Sequence, residues 1–359
     1  MEATFSGSNK GAGKKEAIVD SILLKLSVRR LFSSEKCCNL VQSVHKFIMH
    51  RERKEELEAR WRACCDPLPG GIPYLNRRPC RIKAAEEGRA FIEVLASRFP
   101  GKLTDEEWRQ VFEDGLIVSK AGEVVSDPHL KVSAGHQYER LLPHWVEPQV
   151  GTDLEVIYED EVLLILDKPA PLPMHEGGRF CKNTLMWLMN AAWPELSVRY
   201  THRLDAETSG VLVCVKGEDY RNAIQLQFEQ GEVSKSYLAR VQGVPDWEEK
   251  LITNPVPAEG RSWGKPLDAR TECEVIERYE DGTTLVEARP LTGRTHQIRV
   301  HLWQEGLPLV GDRHYLADGQ LGEVKIAGLG GVPLALRSWK ISFLHPITGA
   351  RVCFEAESR

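Results

Sequence analysis

Apolar residues recur at two different periods along the chain, and the change falls near Gly151. Before it the spacing is helical. Windows 16–32 and 40–64 read as helices, as does 85–99, where Phe91, Val94, Leu95 and Phe99 share a face. Another helix is expected over 104–113, because Thr104 precedes Asp105, Glu106 and Glu107 and so offers an N-cap with acids in the first turn. Short strands around 116–118 and 123–125 are expected to form a small hairpin. After Gly151 the pattern turns to strands. Residues 155–158 and 162–166 flank the acidic turn Glu159-Asp160-Glu161, a hairpin signal. Further strands are expected at 211–216, 234–242, 271–277, 283–288, 339–343 and 351–354, with helices at 184–192, 219–230 and 295–305. Many strands with few helices between them indicate an α+β fold on a central mixed, largely antiparallel sheet.

These shifts divide the chain in three. Residues 1–70 form an N-terminal extension, with a Gly/Ser/Lys-rich lead at 6–15 that reads as disordered and a charged helical run, Arg51 to Glu56, that reads as a solvated face. A Pro/Gly linker at 67–73 leads into a small accessory unit at 75–150. Residues 151–359 make the larger domain.

Composition narrows the picture only modestly. No apolar run approaches the roughly 18 residues of a membrane span, and 18–32 is interrupted by Asp20, Lys25, Arg29 and Arg30, so neither a span nor a secretory signal is expected. The nine cysteines include no CxxC, and the adjacent pairs Cys37-Cys38 and Cys64-Cys65 are poor zinc chelators. Reduced thiols in a cytoplasmic protein are the expectation. A net charge of −5 argues against nonspecific coating of nucleic acid but leaves a locally basic cleft open.

Four segments carry candidate chemistry. Asp205 stands in the loop 202–210 that enters an apolar strand, where reactive groups commonly sit, although an acid before Thr-Ser-Gly also suits a turn. Tyr237, in the strand 234–240, fits either a site or core packing. Residues 293–302 (GRTHQIRVHL) open a helix after a glycine, with an unusual density of Arg, His and Gln and with backbone N–H groups suited to an anion. His296 and His301 are five apart, off the spacing of helical metal sites, so no metal is expected. Residues 306–315 form a glycine-bounded turn with a basic end.

In this order, the four segments resemble the RluA-type family of RNA pseudouridine synthases, whose pattern is HRLDxxTSG, a KxYxAxVxG strand, GRTHQIRVHL, then GxPxxGDxxY. Here the match runs through Asp205, through Lys235, Tyr237 and Gly243, through 293–302, and through 306–315. Upstream, residues 156–160 and Asp167-Lys168-Pro169 look like the family's opening hairpin. The resemblance covers about 154–355. More weakly, residues 89–142 resemble a degenerate alpha-L (S4-like) RNA-binding module. Arg337 departs from the pattern, standing where the family usually shows His.

The resemblance implies a pseudouridine synthase fold and an isomerase that converts specific uridines in structured RNA. Asp205 would be the catalytic carboxylate, ionised and paired with Arg299. Tyr237 would pack on the target base and act as general base toward the sugar. Arg203 would fill the space of the flipped base, which leaves its stack at a cost of a few kcal/mol. His202, Arg294, His296 and Gln297 would contact substrate. No cofactor or metal is implied, and a monomer is expected. The partner is RNA, ribosomal favoured over transfer by the accessory unit. A noncatalytic RNA-binding protein keeping the fold is the alternative, disfavoured because Asp205, Tyr237 and Arg299 are all intact. A glycoside hydrolase would need a second carboxylate, and none is evident.

Overall fold

The computed structural model describes residues 51–257, 266–322 and 331–357. The expected disordered lead and the helix over 16–32 lie outside the described residues, as does the first part of the helix over 40–64. The chain divides into two units, Met1–Glu55 and Glu56–Arg359, and the architecture below is that of the second.

Helix α1 (Arg51–Cys65) places Leu57, Trp61 and Cys65 on one stripe, and all three are buried. They join the same core as Leu166 and Leu212 of the large sheet. The Trp61 indole donates to the Thr152 carbonyl at 2.7 Å and its ring lies 5.7 Å from that of Trp193. The boundary drawn at residue 70 therefore separates a helix from the core it fills. Trp61→Ala should cost about 3–5 kcal/mol of stability by cavity formation, read as a lowered midpoint in urea unfolding; an unchanged midpoint would show that α1 is dispensable.

The accessory unit comprises β1 (Tyr74–Arg81), α2 (Phe91–Arg98), α3 (Asp105–Glu113), β2 (Ile117–Ser119) and β3 (Gln137–Trp145). Its antiparallel sheet has the order β1-β3-β2, over a core that includes Phe91, Leu95, Trp108 and Phe112. The Thr104 cap is present as a full capping box with Glu107. The expected strand at 123–125 is corrected: Val124 makes a single bridge to Val118, and β2 pairs with β3 instead. Helix α2 starts at Phe91 rather than 85, because a 3-10 turn and Gly88 at φ 72° precede it.

The large domain runs β4 (Glu155–Glu159), β5 (Leu163–Lys168), α4 (Leu185–Ala192), β6 (Val198–Tyr200), β7 (Ser209–Lys216), α5 (Glu218–Gln230), β8 (Ser234–Gln242), β9 (Glu249–Ile252), β10 (Val256–Pro257), β11 (Pro266–Leu267), β12 (Thr271–Arg278), β13 (Thr283–Pro290), α6 (Gln297–Gln304), β14 (Leu336–Leu344) and β15 (Arg351–Glu355). The main sheet has the order β4-β5-β7-β14-β8-β13-β12-β9, with β6 on β7 and β15 on β14. Of its pairings, β7 with β14 is parallel and the others are antiparallel. This is the mixed, largely antiparallel sheet of an α+β fold. Strands β5 and β7 are covered on both faces. Leu164, Leu166, Leu212 and Cys214 face α1 and α4, whereas Leu163, Ile165, Val211 and Val213 face α5 and β15. Burial on both faces is why these strands read as continuous apolar runs. No helix among the described residues is long and apolar enough to cross a membrane.

Candidate active site

The loop before β7 is fixed from below. Gly210 pairs with Ser338 across the parallel β7–β14 contact, at φ 107°. A Cβ there would stand 2.1 Å from the Ser338 carbonyl oxygen, so a side chain is excluded. The Thr208 amide closes a turn onto the Asp205 carbonyl at 3.1 Å, and the Leu172 amide donates to the Ala206 carbonyl at 2.8 Å. Beneath lies Lys168, fully buried, its ammonium donating to the carbonyls of Pro169, Leu172 and Ala206. Burial pulls its pKa down to about 7, opposed by the charges of Asp205 and Asp167. Leu204 turns into the core, so Asp205 faces outward, its side chain 31% exposed, while Arg203 is exposed beside it.

Asp205 looks into a cleft of about 860 Å³, walled by β8, the end of α5, and the loop from Pro290 to the start of α6. Arg299, 5% exposed, is the buried cation of that wall. Its Nη1 lies 3.7 Å from Asp205 Oδ2, but its Nε and Nη2 both donate to Asp312, each at 2.8 Å. The expected pairing with Asp205 is present at this longer distance, and Asp312 is a second, closer partner of Arg299. Asp312 also accepts the backbone N–H groups of His314 and Tyr315. Burial pushes its pKa up, yet the Arg299 bonds and these amides more than offset that, leaving it below the usual range. The Tyr315 ring centroid sits 5.1 Å from the guanidinium carbon. Asp205 thus feels a fixed positive charge without a forked hydrogen bond from it, which leaves its carboxylate able to approach an electron-poor carbon.

His296 caps α6 in the left-handed region, at φ 56°. Its Nδ1 is 3.1 Å from the Tyr315 hydroxyl, and its Nε2 is 3.7 Å from Asp205 Oδ2, an ion pair when the ring is protonated. Arg294, on the same loop, is exposed and donates from Nε to the Asp268 carbonyl.

Two of the expected substrate contacts line the cleft with their polar atoms already engaged by the protein. Gln297 is buried, its Nε2 donating to the Arg270 carbonyl and Thr271 hydroxyl while its Oε1 accepts from Thr292 and the Arg294 amide. All four hydrogen-bonding positions of the amide are occupied, so from its place in the cleft wall it shapes the loop. His202 lines the cleft, but its Nε2 accepts the Val213 N–H at 3.1 Å and its ring packs 5.0 Å from Phe228. Burial drives its pKa down to about 3, so it stays uncharged. It ties the loop to β7.

Tyr237 is half-buried on β8, and Tyr237 and Lys235 point to the same side of that strand, both lining the cleft. Burial pushes the phenol up to about 12, so the hydroxyl is protonated near neutral pH. The expected general-base role is therefore not available to a resting phenolate. Activity should show no rise from Tyr237 ionisation between about pH 6 and about pH 9; a limb in the kcat profile that vanishes in Tyr237→Phe would contradict this. Arg337 joins Asp167, the Ser209 hydroxyl and the Glu357 carbonyl, bracing the strands under the Asp205 loop. Its side chain is thus engaged in packing the sheet.

Among the described residues no group of three His, Cys, Asp or Glu side chains is arranged to hold a metal. The residues missed from sequence are Asp312, Tyr315, Lys168 and Lys235. Each lay inside a quoted motif, but only the fold shows that a Gly-Asp turn reaches back to Arg299.

The chain is similar in sequence to several known proteins. Residues 162–304 match a family model described as RNA pseudouridylate synthase. Ribosomal large subunit pseudouridine synthase D of Neisseria meningitidis serogroup A is 35% identical over 306 residues, covering 78% of this chain and 79% of that protein. An uncharacterized RNA pseudouridine synthase of Aquifex aeolicus is 31% identical over 296 residues, covering 77% and 92%. A tRNA pseudouridine(31) synthase of Saccharomyces cerevisiae is 28% identical over 289 residues, covering 68% and 70%.

Proposed function

We propose, from the premise that the chain belongs to the RNA pseudouridylate synthase family, that Asp205 is the carboxylate with which it isomerises uridine to pseudouridine in ribosomal RNA. In this reaction the bond from the uracil nitrogen to the anomeric carbon breaks, the base turns, and its carbon-5 joins the same anomeric carbon. The carbon-5 proton is released to solvent. Positive charge develops on the sugar as the first bond breaks, and a carboxylate is the group that meets it. The observation that carries the reading is the position of Asp205: in a cleft, on a braced loop, 3.7 Å from both Arg299 Nη1 and His296 Nε2.

The other groups take supporting roles in this account. Arg203, exposed beside Asp205, enters the space left by the flipped base. Tyr237 packs its ring on that base with its hydroxyl protonated. Arg299 holds the Asp205 charge, and Arg294 and His296 face the RNA. Ribosomal RNA is favoured by the names of relatives such as that of Neisseria meningitidis and by the accessory unit at 75–150, read as a degenerate alpha-L module. The yeast relative keeps transfer RNA as the second reading. The test is tritium release from total RNA labelled at uridine carbon-5. Release by the purified protein is expected. Binding of the same RNA without release would establish a noncatalytic RNA-binding protein instead.

A further inference from the structure

The wall opposite the reacting carboxylate carries a charge that the protein does not neutralise. Lys235, two residues before Tyr237 on β8, holds its ammonium inside the cleft. It lies 5.8 Å from the centroid of the Phe228 ring and 3.9 Å from where a Cβ on Gly293 would stand. Of the other cations lining the cleft, Arg221 is engaged with Glu218, Arg294 with the Asp268 carbonyl and Arg299 with Asp312, while Arg203 is exposed beside Asp205. Among the described residues the Lys235 ammonium has neither a carboxylate at ion-pair distance nor a hydrogen-bond acceptor. The groups around it offer none: Phe228 is a hydrocarbon ring, Gly293 has no side chain, and the His202 Nε2 already accepts the Val213 N–H. Burial pulls the Lys235 pKa below its ordinary value.

The half-buried Lys235 ammonium gives up part of its hydration without an acceptor on the protein, which costs stability. An anion arriving in the cleft would restore a full charge pair. The nucleic acid in this cleft supplies one kind of anion. We propose that Lys235 receives a phosphodiester of the RNA strand that carries the target uridine, setting where the backbone lies relative to Asp205 and Tyr237. The inference rests on reading the cleft as a pseudouridine synthase site. Lysine suits the task because a compact, mobile charge tolerates any base sequence.

The experiment follows tritium release from total RNA of cells lacking the protein, labelled at uridine carbon-5, over a series of salt concentrations. Lys235→Gln should raise KM about ten- to hundredfold with kcat nearly unchanged. The slope of log(kcat/KM) against log salt should shrink by about 0.7, the loss of one single-strand phosphate contact. Lys235→Arg should restore the slope. Lys235→Met should unfold no earlier than the wild type, since it removes a partly desolvated charge rather than a support. An unchanged KM and salt slope in Lys235→Gln, or a loss confined to kcat, would overturn the proposal. Absence of release by the wild type would instead overturn the parent reading.

Discussion

Asp205→Asn should release tritium at least about ten-thousandfold more slowly than the wild type, the scale seen when an enzyme loses the group that meets the reacting carbon. Asparagine keeps the shape of the side chain, and among the described residues the part-exposed Asp205 carboxylate has its cationic neighbours, Arg299 and His296, at 3.7 Å, beyond hydrogen-bond reach. The variant should therefore fold with stability within about 1 kcal/mol of the wild type. RNA affinity should hold or rise, because a negative charge facing a polyanion has been removed. Loss of activity together with loss of folding would point to a structural acid instead. The pairing of full binding with near-zero turnover is what distinguishes a reacting group from a positioning one.

The second large effect is expected at Asp312, which touches no substrate in this account. Asp312→Asn leaves Arg299 buried with its forked partner gone, and breaking a buried pair costs about 3–5 kcal/mol. Asp205 then becomes the carboxylate nearest the guanidinium, and Arg299 should swing toward it and hold it in a direct hydrogen bond. A carboxylate so tied is a poorer partner for a developing cation, so kcat should fall about a hundredfold while KM changes little. Urea unfolding and steady-state release measure the two effects. Arg299→Lys gives the companion result: it keeps the charge but cannot fork, so it should reproduce part of both losses. Wild-type turnover in a well-folded Asp312→Asn would remove Asp312 from the account.

How far these conclusions were legible beforehand depended on where the information sits. The strands at 162–166 and 211–216 declared themselves because burial on two faces demands unbroken apolar runs. The accessory strands did not. Tyr74–Arg81 holds three arginines and a proline, and Gln137–Trp145 mixes charge, proline and histidine, so neither alternates cleanly. Asp205 stood out through the segment around it, and the loop that carries it is where it was expected. The Asp312–Arg299 fork was invisible because thirteen residues and a turn separate the partners along the chain. The engagement of Gln297 was not legible: a glutamine beside Arg and His reads as a ligand group, and only the fold shows its amide bonded to Thr271, Arg270, Thr292 and Arg294. Lys168 read as part of a hairpin, and only its burial shows it pinning the Asp205 loop through the Ala206 carbonyl.

If Asp205 makes pseudouridine in RNA, a pseudouridine map of cellular RNA must depend on it. Maps are compared for cells with the gene, without it, and without it but supplied with wild type or Asp205→Asn. One or more ribosomal sites should disappear with the gene, return with the wild type, and stay absent with Asp205→Asn. A map that is unchanged by deletion, or fully restored by Asp205→Asn, would contradict it.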